Sequence, residues 1–189
     1  MELILRPARP DEAEALTDLV MRSKQSNGYD DAFMAACADE LRVTPARIAA
    51  GNFWVAVAQG ALRGCVTLDP DSATGQGTIS TFFIDPDTKR QGVGRALWGE
   101  VQAAARSQGM SLLKLDADPA AVSFYQAMGF KTVREVPSGS IPGRVLPQME
   151  LTLPPVTLGG VHPRHHDKSR HRQTHLNHTR HNRRANGQD

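Results

Sequence analysis

Phe82-Phe83-Ile84-Asp85-Pro86-Asp87-Thr88-Lys89-Arg90-Gln91-Gly92-Val93-Gly94-Arg95-Ala96-Leu97 is the stretch on which the rest of the chain turns. Its apolar start predicts a strand, which ends at Asp85-Pro86. A basic loop with two glycines follows. Val93, Leu97, Val101 and Ala104 or Ala105 then recur on one face, which predicts a helix to about Ser107, closed by Gly109. A strand that feeds a loop of free amides at a helix N-terminus suits an anionic phosphate group. Gly92 and Gly94 permit close backbone approach and unusual φ, and Lys89, Arg90 and Arg95 add positive charge. The loop is not a Walker A loop, because no Gly-Lys-Ser/Thr follows. It also departs from the dinucleotide fingerprint. Leu97 stands where the third glycine belongs, and Asp85 to Gln91 separates the strand from Gly92. Asp116, 22 residues past Gly94, keeps a dinucleotide site as a rival.

Upstream, Leu3-Ile4-Leu5 predicts a short strand closed by Pro7. Ala15, Leu16, Leu19 and Val20 predict an amphipathic helix from Asp11 to about Gln25, with its acids at the positive end of the dipole. Helices are expected from about Asp30 to Leu41 and from Pro45 to Gly51, the latter capped by Thr44. Asn52–Gln59 and Leu62–Leu68 alternate as a hairpin around Gln59-Gly60, and residues 69–77 read as a loop before a strand over Thr78–Ile84. Downstream, a strand over Leu112–Leu115, a helix from Asp118-Pro119 to Ala127 and strands over Phe130–Val136 and Val145–Leu153 complete the order. This succession is α/β or α+β. The strand–helix–strand segment 78–115 predicts a parallel crossover beside an antiparallel hairpin, hence a mixed sheet.

The 189 residues suffice for one domain with a sizeable core. Residues 1–160 carry 15 basic against 18 acidic side chains; residues 161–189 carry 7 against 2 and hold all seven histidines. Acid–base chemistry in the globular part therefore falls to carboxylates, Tyr, Cys, Lys or a terminus. Cys37 and Cys65 do not make a disulfide framework or a zinc site, and no metal site is expected in the globular part; in the tail, His171, His175 and His178 would share a helical face that could take a transition metal. No apolar run approaches the ~20 residues of a membrane span, and the N-terminus does not read as a signal peptide, so a cytoplasmic protein is expected.

Two motifs resemble those of the GCN5-related N-acetyltransferase (GNAT) family. That family carries Gln/Arg-x-x-Gly-x-Gly/Ala, matched by Lys89-Arg90-Gln91-Gly92-Val93-Gly94 with Lys at the first place. Its Asn-x-x-Ala-x-x-x-Tyr-x-x-x-Gly-Phe block is similar to Asp118-Pro119-Ala120-Ala121-Val122-Ser123-Phe124-Tyr125-Gln126-Ala127-Met128-Gly129-Phe130, with Asp118 in place of Asn. The resemblance covers roughly residues 2–153. It implies a mixed, mostly antiparallel sheet whose fourth and fifth strands splay to form a wedge for acetyl-CoA, with helices on both faces.

By the same resemblance, Phe82, Phe83 and Ile84 offer backbone groups to the pantetheine arm and thioester. Lys89, Arg90, Gln91, Gly92, Val93, Gly94 and Arg95 receive the pyrophosphate, and Asp118 borders the cofactor. The implied reaction is direct attack of an amine on the thioester, with Tyr125 as the acid that protonates the leaving thiolate. Some family members place a carboxylate on the fifth strand; that position here is Leu113, which leaves Asp39, Glu40, Asp69, Asp85 and Asp116 as candidate bases acting through water. Acceptors are expected against Asn27–Leu41 and the Pro137–Arg144 loop. Asp30, Asp31, Asp39 and Glu40 could attract a cationic amine, and Arg144 an acceptor carboxylate.

The expected domain spans 1–153; residues 154–189 form a basic His/Arg-rich tail too polar to order itself. The leading expectation is an acetyl-CoA-dependent N-acetyltransferase acting on an amine of a small molecule or protein. The alternative is a non-catalytic acyl-CoA-binding module whose tail contacts nucleic acid or another polyanion. The oligomeric state, monomer or homodimer, is left open.

Overall fold

The strand expected over Thr78–Ile84 breaks in its middle, and the break organises the molecule. In the computed structural model, which describes residues 2–155, the elements are β1 (Ile4–Pro7), α1 (Ala13–Gln25), α2 (Asp31–Leu41), α3 (Pro45–Ala49), β2 (Phe53–Ala58), β3 (Ala61–Thr67), β4 (Asp69–Asp71), β5 (Gln76–Thr78), β6 (Phe82–Ile84), α4 (Val93–Ser107), β7 (Leu112–Asp116), α5 (Val122–Ala127), β8 (Lys131–Pro137) and β9 (Val145–Thr152). One sheet has the order β1-β2-β3-β6 and the other β4-β5-β7-β9-β8. The fold is thus α/β with mixed pairing. The tail and the expectations attached to it lie outside the described residues.

β5 runs parallel to β7, with Thr78 beside Lys114, and the Ile79 amide still donates to the Lys114 carbonyl at 2.9 Å. Three residues later the chain has changed sheets: β6 pairs antiparallel with β3, Val66 beside Phe82 and Gly64 beside Ile84. A side-chain network holds the crossing. The buried Thr67 hydroxyl accepts from the Thr81 amide at 3.0 Å and donates to Ser80 at 2.8 Å, and Ser80 donates to Asp69 at 2.6 Å. Arg47 closes on the far side of Asp69. The expected continuous strand is therefore corrected to two short ones, and only Gln76–Thr78 forms the parallel pair. The expected loop at 69–77 is corrected as well, because β4 and β5 pair there as a small hairpin. A period-2 reading cannot register that the partner changes partway along an extended segment.

β2 alternates as its pattern requires. Phe53 and Val55 pack under α1 with Leu16, Leu19 and Val20, whereas Trp54 and Ala56 face the opposite cluster. On that side α4 lays Val93, Leu97, Trp98, Val101 and Ala105 against the sheets, among Leu113, Leu115, Phe130 and Met149. Gly64 lets α4 approach: a Cβ there would meet Val93, Leu97 and Ile84 at 3.0 Å. α5 is too short to persist alone and is held by the packing of Phe124 and Tyr125.

Candidate active site

The loop between β6 and α4 is pinned at its base. Asp85, 6% exposed, accepts from the Asp87 amide at 3.1 Å and faces Arg22 and Arg63 at 3.6 Å each. The Thr88 amide returns to the Asp85 carbonyl at 2.9 Å. Arg90 (φ 64°) and Gly92 (φ 85°) are left-handed, and this turns the chain into α4. Among the described residues no oxygen accepts from the amides of Gly92, Val93, Gly94 or Arg95, as the open first turn of a helix dictates. Gly92 supplies its positive φ, but Gly94 serves packing: a Cβ there would stand 2.8 Å from the Phe124 ring. The second motif thus closes on the first.

β6 and β7 part beyond Thr78 and Lys114, and a cavity of about 980 Å³ occupies the gap. Phe82, Phe83, Ile84, Lys89, Arg90, Gly92, Gly94, Arg95, Asp118 and Tyr125 all line it. Gln91 instead donates to the Asp87 carbonyl at 3.2 Å, and Val93 turns its side chain into the core at 1% exposure. Only their backbones remain for a ligand. Lys89 reaches the Ser26 hydroxyl at 2.7 Å, joining the loop to α1.

Tyr125 sits among Phe82, Phe124 and Phe130, with ring centroids 5.3 to 6.1 Å away. Its hydroxyl has no hydrogen-bond partner among the described residues, although the residue lines the cavity. Burial, and then the charge of Asp118, push its phenol well above the ordinary value of 10.0. It therefore stays protonated at physiological pH.

Asp118 is the hub of a polar clasp. Lys24 donates to it at 2.5 Å, the Tyr29 hydroxyl lies 2.9 and 3.0 Å from its two oxygens, and Arg144 stands 3.7 Å away. Arg144 also donates to the Tyr29 hydroxyl at 2.6 Å and lies over the Phe33 ring, which stacks on Tyr29 at 4.0 Å. Burial opposes ionisation of Asp118. The bonds from Lys24, the Ala120 amide and Tyr29 outweigh it and hold the carboxyl below the usual carboxylate range. Burial, followed by the bond to Asp118, raises the Tyr29 phenol.

The candidate bases separate by position. Asp85 is tied at the loop base, Asp69 to Arg47 and Ser80, and Asp39 to Arg42 at 3.0 Å. Asp30 caps α2 through the Phe33 amide, and Asp31 accepts from Gln25. Glu40 and Asp116 line the cavity. Leu113 is wholly buried, so the core occupies that strand position. The two segments expected to flank an acceptor do meet, through Tyr29 with Arg144 and Cys37 with Ser140 at 3.4 Å. Lys24 and Tyr29 were not singled out from the sequence. Tyr29 carried a faint signal, being one of two tyrosines and standing in the Asn27-Gly28 turn, whereas Lys24 had none.

A family model described as "Acetyltransferase (GNAT) domain" matches residues 23–153. The chain belongs to the GNAT acetyltransferase family. Human N-acetyltransferase 8 is 33% identical over 107 residues, covering 52% of this chain and 47% of that protein; the chain thus spans about half the length of this curated relative. The fold is shared with the PaiA N-acetyltransferase of Thermoplasma acidophilum, solved with coenzyme A. There the TM-score is 0.68 and the identity 17%, over 81% of this chain and 100% of that one. It is shared too with the ribosomal-protein-S18-alanine N-acetyltransferase of Escherichia coli, at TM-score 0.59 and 18% identity over 80% and 94%.

Proposed function

We propose that the protein transfers an acetyl group from acetyl-CoA to a primary amine of a small molecule or protein. One observation carries this reading: the amides of Gly92, Gly94 and Arg95 and the Tyr125 hydroxyl, without partners among the described residues, open on the same cavity, where β6 and β7 part. The loop amides with Lys89, Arg90 and Arg95 would hold the pyrophosphate. The free edge of Phe82–Ile84 would pair with the pantetheine amides, and its N–H groups would face the carbonyl oxygen as charge develops there. Asp118 borders this arm from within the clasp.

In the reaction the amine nitrogen forms a bond to the acetyl carbon and the C–S bond breaks. The Tyr125 phenol donates to the sulfur as it leaves, and regains its proton from water. So reluctant an acid acts first as a hydrogen-bond donor to the developing thiolate. An alkylamine of pKa about 10.4 is neutral in only about one part in a few thousand at pH 7, so its surplus proton must leave before attack. Asp116 and Glu40 are the carboxylates placed to receive it through water. Cys37 and Cys65 are free and buried, which suits a reducing cytoplasm.

The deciding experiment combines melting with turnover. Acetyl-CoA should raise the melting temperature, and CoA release should depend on added amine. A protein not stabilised by acetyl-CoA would refute the reading. Stabilisation without transfer to any amine would leave an acyl-CoA-binding module instead.

A further inference from the structure

The cavity is electrically divided along β6. At the Ile84 end stand Lys89, Arg90 and Arg95, none of which faces a carboxylate among the described residues. Every other lining cation is already matched: Lys24 by Asp118, Arg42 by Asp39 and Arg47 by Asp69. Of the three lining acids, Asp118 is paired with Lys24 and Arg144, but the other two are not. Glu40 has no ion-pair partner among the described residues, and Asp116 has only the Gln148 amide at 2.9 Å. The parallel register places Asp116 across the gap from Ser80, since Thr78 pairs with Lys114 two residues earlier on each strand. Unmatched positive charge thus gathers at the phosphate end, and unmatched negative charge at the other.

At Glu40 the negative end is bordered by the β8–β9 loop. Arg144 of the β8–β9 loop donates to Tyr29 beside α2, Ser140 touches Cys37, and Glu40 lies against Gly139. Both partners of the first contact are mostly buried, and Asp118 fastens them to the start of α5. A small free molecule needs less clearance past this loop than a lysine presented on a folded protein.

Resting on the acetyltransferase reading above, we infer that the acceptor is a small amine of net positive charge, such as a diamine, with Glu40 and Asp116 as its specificity-determining carboxylates. An acceptor bearing a carboxylate beside its amine meets two unmatched acids and no unmatched cation at that end. Arg144 is spent on Tyr29 and Asp118 and does not line the cavity, so it does not serve as a carboxylate receptor.

The test uses the full chain with acetyl-CoA held constant and CoA release as readout. The acceptors are 1,4-diaminobutane, glutamate and a folded lysine-rich protein. The diamine should lead both others in kcat/KM by about tenfold or more. Glu40→Gln and Asp116→Asn should each raise the diamine KM roughly two- to fivefold, as befits exposed charges, with kcat falling as well where the same carboxylate relays the proton, and leave the acetyl-CoA KM unchanged. A purely structural role would move both KM values together. Preference for glutamate or for the protein would overturn the inference, and so would an unaltered diamine KM in both variants. Bound acetyl-CoA with no transfer to any of the three would overturn the catalytic reading itself, and the inference with it.

Discussion

The Phe124 ring lies 2.8 Å from the point where Gly94 would carry a Cβ. A residue of the first turn of α4 and a residue of α5, 30 positions apart, therefore share one packing contact. Gly94→Ala would gain helix propensity of up to ~1 kcal/mol, yet the ring has to yield, at about 1–3 kcal/mol. We expect a melting temperature lower by about 2–6 °C and clearly weaker acetyl-CoA binding, read by calorimetry. Unchanged affinity would separate the loop from α5.

Tyr125→Phe removes one hydroxyl that nothing in the described protein engages. The fold should hold and the Kd for acetyl-CoA should stay within about twofold. Turnover should drop on the order of 100-fold, because general acid assistance is worth that much or more. Full turnover in the variant would remove Tyr125 from the chemistry.

Glu12 anchors β1 to α1. It accepts from Arg6 at 2.6 and 3.0 Å and from the Arg9 amide at 2.8 Å. The Arg6 bond, acting against burial, sets its carboxyl below the ordinary 4.5. A lowered folded pKa means stability that is complete above the unfolded value and lost as pH falls through the folded one. Glu12→Gln should cost about 1.5–3 kcal/mol at pH 7. The gap from the parent protein should close as pH drops below about 4.5, which melting curves from pH 7 to 3 would show.

Cys65 is wholly buried beneath α1, and burial pushes its thiol up to about 12. The native protein at pH 8 should leave it unalkylated by iodoacetamide, while the unfolded chain reacts at once. The raised pKa also sets a sign at high pH. The unfolded thiol ionises from about 9.0 upward, so its folding contribution declines above that pH. Rapid native labelling, located by mass spectrometry, would show that the cluster beneath α1 opens.

Asp118→Asn keeps the shape of the clasp but leaves Lys24 and Arg144 facing a neutral amide. Removing one partner of a half-buried ion pair exposes the desolvation cost of the other, so stability should fall by a few kcal/mol. Lys24→Met combined with Asp118→Leu should recover part of the loss, since an apolar replacement leaves neither charge stranded.

Sequence by itself determined the parts that depend on neighbours along the chain. The loop at 89–95, the helix starting at Val93 and the Tyr125 block are local in this sense: spacing, capping and turn chemistry act over a few residues, and so their pattern is legible. The clasp and the sheet crossing are not local. Lys24 reaches Asp118 across 94 positions and Arg144 reaches Tyr29 across 115. Whether a surface lysine or a turn tyrosine finds such a partner depends on how α1, α5 and the β8–β9 loop pack, which no periodicity records. The break at Ile79–Thr81 depends likewise on two sheets competing for one strand, settled by Thr67, Ser80 and Asp69. Tertiary structure alone also decided which acids face the cavity. Glu40 and Asp39 are adjacent in sequence, yet Glu40 lines the cavity while Asp39 does not and stands exposed beside Arg42, because consecutive helical side chains point about 100° apart.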